Sequence, residues 1–97
     1  LFKRFGPKPG EGPSLEKIEA GFANLTLLAG PLESPALTQS YAWSGDPSNL
    51  ITTRCLVQTG LALAADEAQR GGVLTPASAL GDKLFQRLKN IGAVRTI

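Results

Sequence analysis

Two turns in this chain carry the residue types from which a binding site could be built. Gly71-Gly72 leads through Val73 and Leu74 to Thr75-Pro76, and Gly45 leads directly into Asp46-Pro47. Each reads as a helix start. A short oxygen-bearing side chain accepts an amide of the first turn, and proline takes the first helical position, where no amide hydrogen is needed. The two starts differ in charge. Asp46 puts a carboxylate where the first amides point, which disfavours an incoming anion. Thr75 is neutral, so the amides behind it could receive a phosphate or carboxylate. Gly45, Asp46, Gly71, Gly72, Thr75 and Pro76 are therefore the candidate motif and anion-site positions. A structural cap is the favoured role at Thr75, because no Lys or Arg stands in its turn.

Other chemistry is hard to assemble. The chain has no histidine and one cysteine, Cys55, which removes the commonest general base and leaves no disulfide framework or cysteine metal site. Ser44 and Ser48 flank Asp46 without a base to activate them. Asp66 and Glu67 are neighbours on a helical pattern, so they point in different directions rather than facing one substrate bond. Arg54 would lower the pKa of Cys55 only if the two side chains converged; a mid-helix apolar setting works the other way, and a buried structural thiol is expected. For Arg54 the choice lies between a bound anion and a surface or interdomain ion pair, with the ion pair favoured. Gly10-Glu11-Gly12 has the look of a dinucleotide loop, but Pro13 follows it and no strand precedes it. No catalytic residue can be named. Nor does the sequence assign a cofactor or metal site to this stretch.

Composition narrows the class. Ten Lys and Arg against eight Asp and Glu give a net charge of +2, with no continuous basic stripe, and no nucleic-acid partner is expected. A 42% share of hydrophobic residues argues against overall disorder. The apolar run near Leu50 to Ala65 is interrupted by Arg54 and Gln58 and does not read as a membrane span. The sequence begins at Leu1 and contains no Met, so a truncated or processed chain is expected.

The elements that must position these residues can be read in order. Residues 1–14, rich in Pro and Gly, form an extended connector. Ser14 can cap a short helix over Leu15 to Ala20, which Gly21 ends. Strands are expected over Phe22 to Leu28, with Leu25 and Leu27 on one face, and over Ala36 to Trp43, with Leu37, Gln39, Tyr41 and Trp43 sharing a face. Tyr41 and Trp43 are expected to cover a core edge. A long helix should run from Asp46 to about Arg70, burying Leu50, Val57, Leu61 and Ala64, with Ile51, Cys55 and Ala62 beside that stripe. A second helix should start after Thr75, repeat through Leu80, Leu84, Leu88 and Ile91, and end at Gly92, with Asp82, Lys83, Arg87 and Lys89 in solvent. Ala93 to Ile97 then re-enters a sheet. The expected fold is a small α/β unit with a mixed or antiparallel sheet and two main helices.

Three segments together resemble one family. Phe5 to Ser14, Gly45-Asp46-Pro47, and Gly71-Gly72-Val73-Leu74-Thr75-Pro76-Ala77 continuing through Gly81-Asp82 and Arg87-Leu88 are similar to the C-terminal part of the saccharopine dehydrogenase-like oxidoreductases, including the bacterial trans-acting enoyl reductases. The resemblance implies that residues 15–97 are the C-terminal α/β segment of a larger substrate-side domain, not catalytic alone. It implies a preceding Rossmann domain of the same protein as partner, NAD or NADP in the full-length protein but none bound here, a lipid-like substrate, a homo-oligomer, and a cytoplasmic site that extends to the periphery of a membrane or lipid surface. The chain departs from the family pattern after Pro47, where Ser48-Asn49 replaces Gly and an aromatic residue. The competing expectations are a non-enzymatic protein-interaction or oligomerisation module and a small anion-binding module built on Thr75.

Overall fold

Local hydrogen bonds set the boundaries of the first half of the chain. The computed structural model describes residues 8, 10–31, 33–68 and 70–97; most of the expected connector, residues 1–7 and 9, lies outside them. Lys8 and Glu11 close a turn, with the Glu11 amide donating to the Lys8 carbonyl at 2.9 Å. Ser14 then caps helix α1 (Leu15–Ala20), its side chain accepting from the Lys17 amide. Gly21 is extended and ends the helix.

Two eight-residue strands follow, β1 (Phe22–Ala29) and β2 (Leu37–Ser44). They pair antiparallel with Leu25 opposite Tyr41 and Leu27 opposite Gln39. The pleat puts Leu25, Leu27, Leu37, Tyr41 and Trp43 on one face, as the alternation predicts. The other face mixes Asn24, Thr26, Thr38 and Ser40 with the exposed Phe22 and Leu28, and Thr26 and Ser40 hydrogen-bond across it at 2.9 Å. The third strand, β3 (Val94–Thr96), pairs antiparallel with β2 through Trp43 and Val94, giving the order β1-β2-β3. The sheet is thus antiparallel throughout.

The helical half departs from the expected two long helices. A π-helical turn (Pro47–Ile51) comes first, then α2 (Thr52–Ala64), a short α3 (Pro76–Leu80) and α4 (Asp82–Asn90). The first long helix stops at Ala64 rather than near Arg70. Asp66 takes a left-handed conformation at φ 55, its amide bonding to the Leu63 carbonyl while that of Glu67 reaches Ala62. This paired closure is a Schellman motif, in which Asp is one of the few side chains that tolerate the left-handed position. The second helix is broken at Gly81, whose φ of 53 and ψ of −134 lie outside the range open to other residues. α4 ends as expected at Gly92, where the Gly92 amide reaches Lys89 and that of Ala93 reaches Leu88.

Two small clusters hold the layers together. Ala62, Ala79 and Leu80 join α2 to α3, flanked by Ala68, Leu74 and Leu84. Leu88, Ala93 and Val94 join α4 to the sheet, with Tyr41, Trp43, Cys55 and Phe85 packed around them. Tyr41 and Phe85 meet edge to face at 5.5 Å. The aromatic pair on β2 therefore covers a core edge, as its position predicts.

The orientation of α2 reverses the expectation. Its inward side is formed by Arg54, Cys55, Gln58, Thr59 and the fully buried Ala62. Val57 and Leu61, expected in the core, are 50% and 49% exposed. Ala64 is exposed as well; Cys55 and Ala62, expected beside the stripe, pack inward, and of the stripe itself only Leu50, in the π turn, is half-buried. The run from Cys55 to Ala65 has apolar side chains in every direction, so its periodicity fixes no face.

Candidate functional site at the Gly45-Asp46-Pro47 junction

The junction between β2 and the helices is the most densely hydrogen-bonded loop among the described residues. Gly45 is buried at φ 101, and its amide donates to the Gly21 carbonyl at 2.8 Å. The Asp46 amide donates to the Ile18 carbonyl, also at 2.8 Å, which ties α1 to the junction. Asp46 Oδ1 accepts from both the backbone and the side-chain nitrogen of Asn49, each at 2.7 Å. The amides of Leu50 and Ile51 share the Asp46 carbonyl, and this doubling produces the π turn. Thr52 Oγ1 donates to the Pro47 carbonyl at 2.9 Å. Single π turns of this kind often accompany functional positions.

Arg54 completes the clasp from α2. Its Nη1 donates to the Ser44 carbonyl at 2.9 Å. Sequence reasoning weighed a bound anion against an ion pair for this guanidinium; the structure gives it a backbone carbonyl instead. Ser48-Asn49, read above as a departure from the resembled family, has a local role: Asn49 holds the capping carboxylate of Asp46 through both its backbone and side-chain nitrogens.

The second candidate turn lies at the other end of α2. Thr75 Oγ1 accepts from the Ser78 amide at 3.2 Å, and Ser78 Oγ in turn donates to the Thr75 carbonyl at 3.1 Å. Pro76 takes the first helical position, and Gly71 and Gly72 are exposed. α3 packs on Ala62 near the last turn of α2, whereas the Gly45 junction precedes its first. The 13 residues of α2 span about 20 Å, so the two motifs are not brought into one site.

A third group was missed by sequence reasoning. Arg87, expected in solvent, is half-buried between α4 and the end of α2. Its Nη1 donates to Glu67 Oε1 at 2.8 Å, and its Nε to Gln58 Oε1 at 3.2 Å. The pair borders an open groove of about 480 Å³ that Asp82, Lys83, Gln86 and Asn90 also line. The available signal was the spacing of Arg87 from Leu84, three residues along, which places both near one helix face. Asp66 is exposed, and of the two adjacent carboxylates it is Glu67 that holds Arg87.

Cys55 behaves as a structural thiol. It packs beside Tyr41, Trp43 and Phe85, and burial pushes its pKa above the ordinary value of 9.0. A raised thiol pKa means that the folded chain holds this proton more tightly than the unfolded one. Stability is therefore unaffected below pH 9.0 and falls as pH rises through 9.0 and the folded value above it. Urea unfolding midpoints followed between about pH 7 and pH 10 should show this decline, and Cys55→Ala should shrink it relative to the parent.

Among the described residues no three His, Cys, Asp or Glu side chains converge to hold a metal. A dinucleotide does not fit either candidate turn as built: Asp46 opposes phosphate at one, and the five-residue α3 spends its first-turn amide on Thr75 at the other. No described helix is long and apolar enough to cross a membrane.

Comparison with known proteins gives one consistent result. No protein-family profile matches the chain, and no solved structure does. A candidate trans-acting enoyl reductase of Mycobacterium tuberculosis (strain H37Rv) is 39% identical over 95 residues, covering 95% of this chain but 23% of that protein. A trans-acting enoyl reductase of Mycobacterium bovis (strain BCG) is 38% identical over 97 residues, again 23% of its length. That of Mycobacterium ulcerans is 36% identical over 95 residues, or 22% of its length. The chain is therefore a homologue of the trans-acting enoyl reductases over nearly all its residues, and it spans less than a quarter of their length.

Proposed function

We propose that residues 15–97 are the C-terminal, substrate-side part of an NAD(P)-dependent oxidoreductase of the saccharopine dehydrogenase-like class, with residues 1–14 as the connector that leads into it. The carrying observation is the lopsided match: 95% of this chain against 23% of a trans-acting enoyl reductase. The reaction class is the two-electron reduction of a carbon–carbon double bond conjugated to a carbonyl, in a lipid-like substrate. A Rossmann region earlier in the same polypeptide holds the nicotinamide. These residues shape and support the substrate side without a catalytic group of their own. The enzyme is cytoplasmic, meets its substrate at a membrane or lipid surface, and assembles as a homo-oligomer.

The local chemistry supports this division of labour. The chain has no histidine, and burial raises the pKa of its one thiol, away from the thiolate a nucleophile needs. Both candidate turns spend their polar groups on the fold.

The test is nucleotide binding and turnover by the natural gene product. NADPH or NADH fluorescence should change on binding, and an α,β-unsaturated acyl thioester should be reduced with a matching, stoichiometric loss of the reduced nicotinamide's absorbance. A product that binds neither nucleotide overturns the reading.

A further inference from the structure

α2 is built inside out, and this has a consequence for what lies against it. Its inward side sets polar groups beside Cys55 and the buried Ala62: Arg54 bonds to the Ser44 carbonyl and Gln58 accepts from Arg87. Its outward side carries Leu56 at 72% exposure, Val57 at 50%, Leu61 at 49% and Leu63 at 51%. No charged residue interrupts the run from Cys55 to Ala65. Four large apolar side chains on one helix face go well beyond the scattered exposure normal for a soluble surface. An outward helix face this apolar belongs against further protein or in a membrane. Thirteen residues fall short of the roughly 20 needed to cross a bilayer. A helix lying on a membrane surface carries Lys or Arg beside its apolar face, and the outward side of α2 carries neither.

The sheet repeats the pattern. Leu25, Leu27 and Leu37 share a face with Tyr41 and Trp43, which α4 covers. Yet these three leucines are 48%, 51% and 61% exposed. The helical layer stops halfway across an apolar face.

We propose that the outward face of α2, centred on Leu56, Val57, Leu61 and Leu63, is one half of a second hydrophobic core, and that its other half comes from the part of the same polypeptide outside residues 1–97. The proposal rests on the reading above. The occupant is identified by length: the relatives match across the whole of α2, and 77% of the M. tuberculosis protein, the complement of the 23% matched, lies outside the matched stretch. Gly60 sits on the same outward face, where an added Cβ would meet no atom within 4 Å. The face therefore has room for a close-packed neighbour.

The test uses the natural gene product at full length. Leu56→Cys and Leu63→Cys are labelled with a maleimide, native and in urea, and the modified sites are located by peptide mass. The exposed Lys83→Cys serves as reference. The expected result is native labelling at least about tenfold slower than in urea at positions 56 and 63, with little protection at 83. Equal native and unfolded rates at 56 and 63 overturn the proposal. So does protection that disappears on dilution, which would identify a second copy as the cover. Hydroxyl-radical footprinting of Leu56 and Leu63 in the unaltered protein reads the same protection if a cysteine variant fails to fold. An enzyme that turns over nucleotide while leaving this face labelled refutes the second core alone; a product without nucleotide binding refutes the reading beneath it.

Discussion

Gly45→Ala is expected to destabilise the fold by about 2–5 kcal/mol, through backbone strain and overpacking acting at one site. Gly45 stands at φ 101, a region that side-chain-bearing residues rarely enter. An added Cβ would lie 2.5 Å from Leu50 Cδ2 and 3.2 Å from Leu50 Cβ. The Leu50 tip can turn aside, but the backbone cannot follow, because the Gly45 and Asp46 amides are fixed to Gly21 and Ile18 at 2.8 Å each. Gly21 closes the other side, where a Cβ would sit 2.6 Å from the Asp46 nitrogen. Two glycines thus let α1, the end of β2 and the π turn meet at backbone distance. Unfolding followed by the fluorescence of Trp43, two residues away, should show the lowered midpoint. An unchanged midpoint would mean that the junction is not the clasp described.

Leu80→Ala should cost a similar amount, about 2–5 kcal/mol. Among the described residues Leu80 is the largest fully buried side chain, at 0% exposure. Its cluster partners are the small residues Ala62 and Ala79, which have no side-chain length with which to refill the space. The loss would separate α3 from the last turn of α2 and expose the Gly81 break. Urea unfolding of the variant against its parent measures the difference. A cost below about 1 kcal/mol would show that Ala68, Leu74 and Leu84 collapse into the cavity.

Much of the framework was legible because local chemistry decided it. Ser14, Asp46 and Thr75 cap the elements they precede, Gly92 closes α4, and the alternation of β1 and β2 gives the paired faces observed. The failures have a common origin in contacts that local pattern does not carry. The Leu50 to Ala64 run offered apolar residues on every side, so periodicity chose the wrong face of α2. The helix end at Ala64 depends on Asp66 accepting a left-handed backbone, which no glycine announced. The expected second helix ran unbroken past Gly81, which instead separates two helices. Arg87 looked solvent-directed and is held by Gln58 and Glu67, 29 and 20 residues away in the chain.

The candidate site was legible by position and not by role. Gly45 and Asp46 stand at the most connected junction among the described residues, while Gly71, Gly72, Thr75 and Pro76 stand a helix length away. Their common thread is architectural: each turn delivers the chain into or out of α2, the helix whose outer face is left without a partner.

The intact mass of the natural gene product tests the central claim most directly. With 95% of this chain matching only 23% of an enoyl reductase, the account predicts a polypeptide about four times as long, with a nucleotide-binding region preceding these residues. A product ending at the length of this chain would contradict it, and would make the uncovered face of α2 a surface for a separate protein.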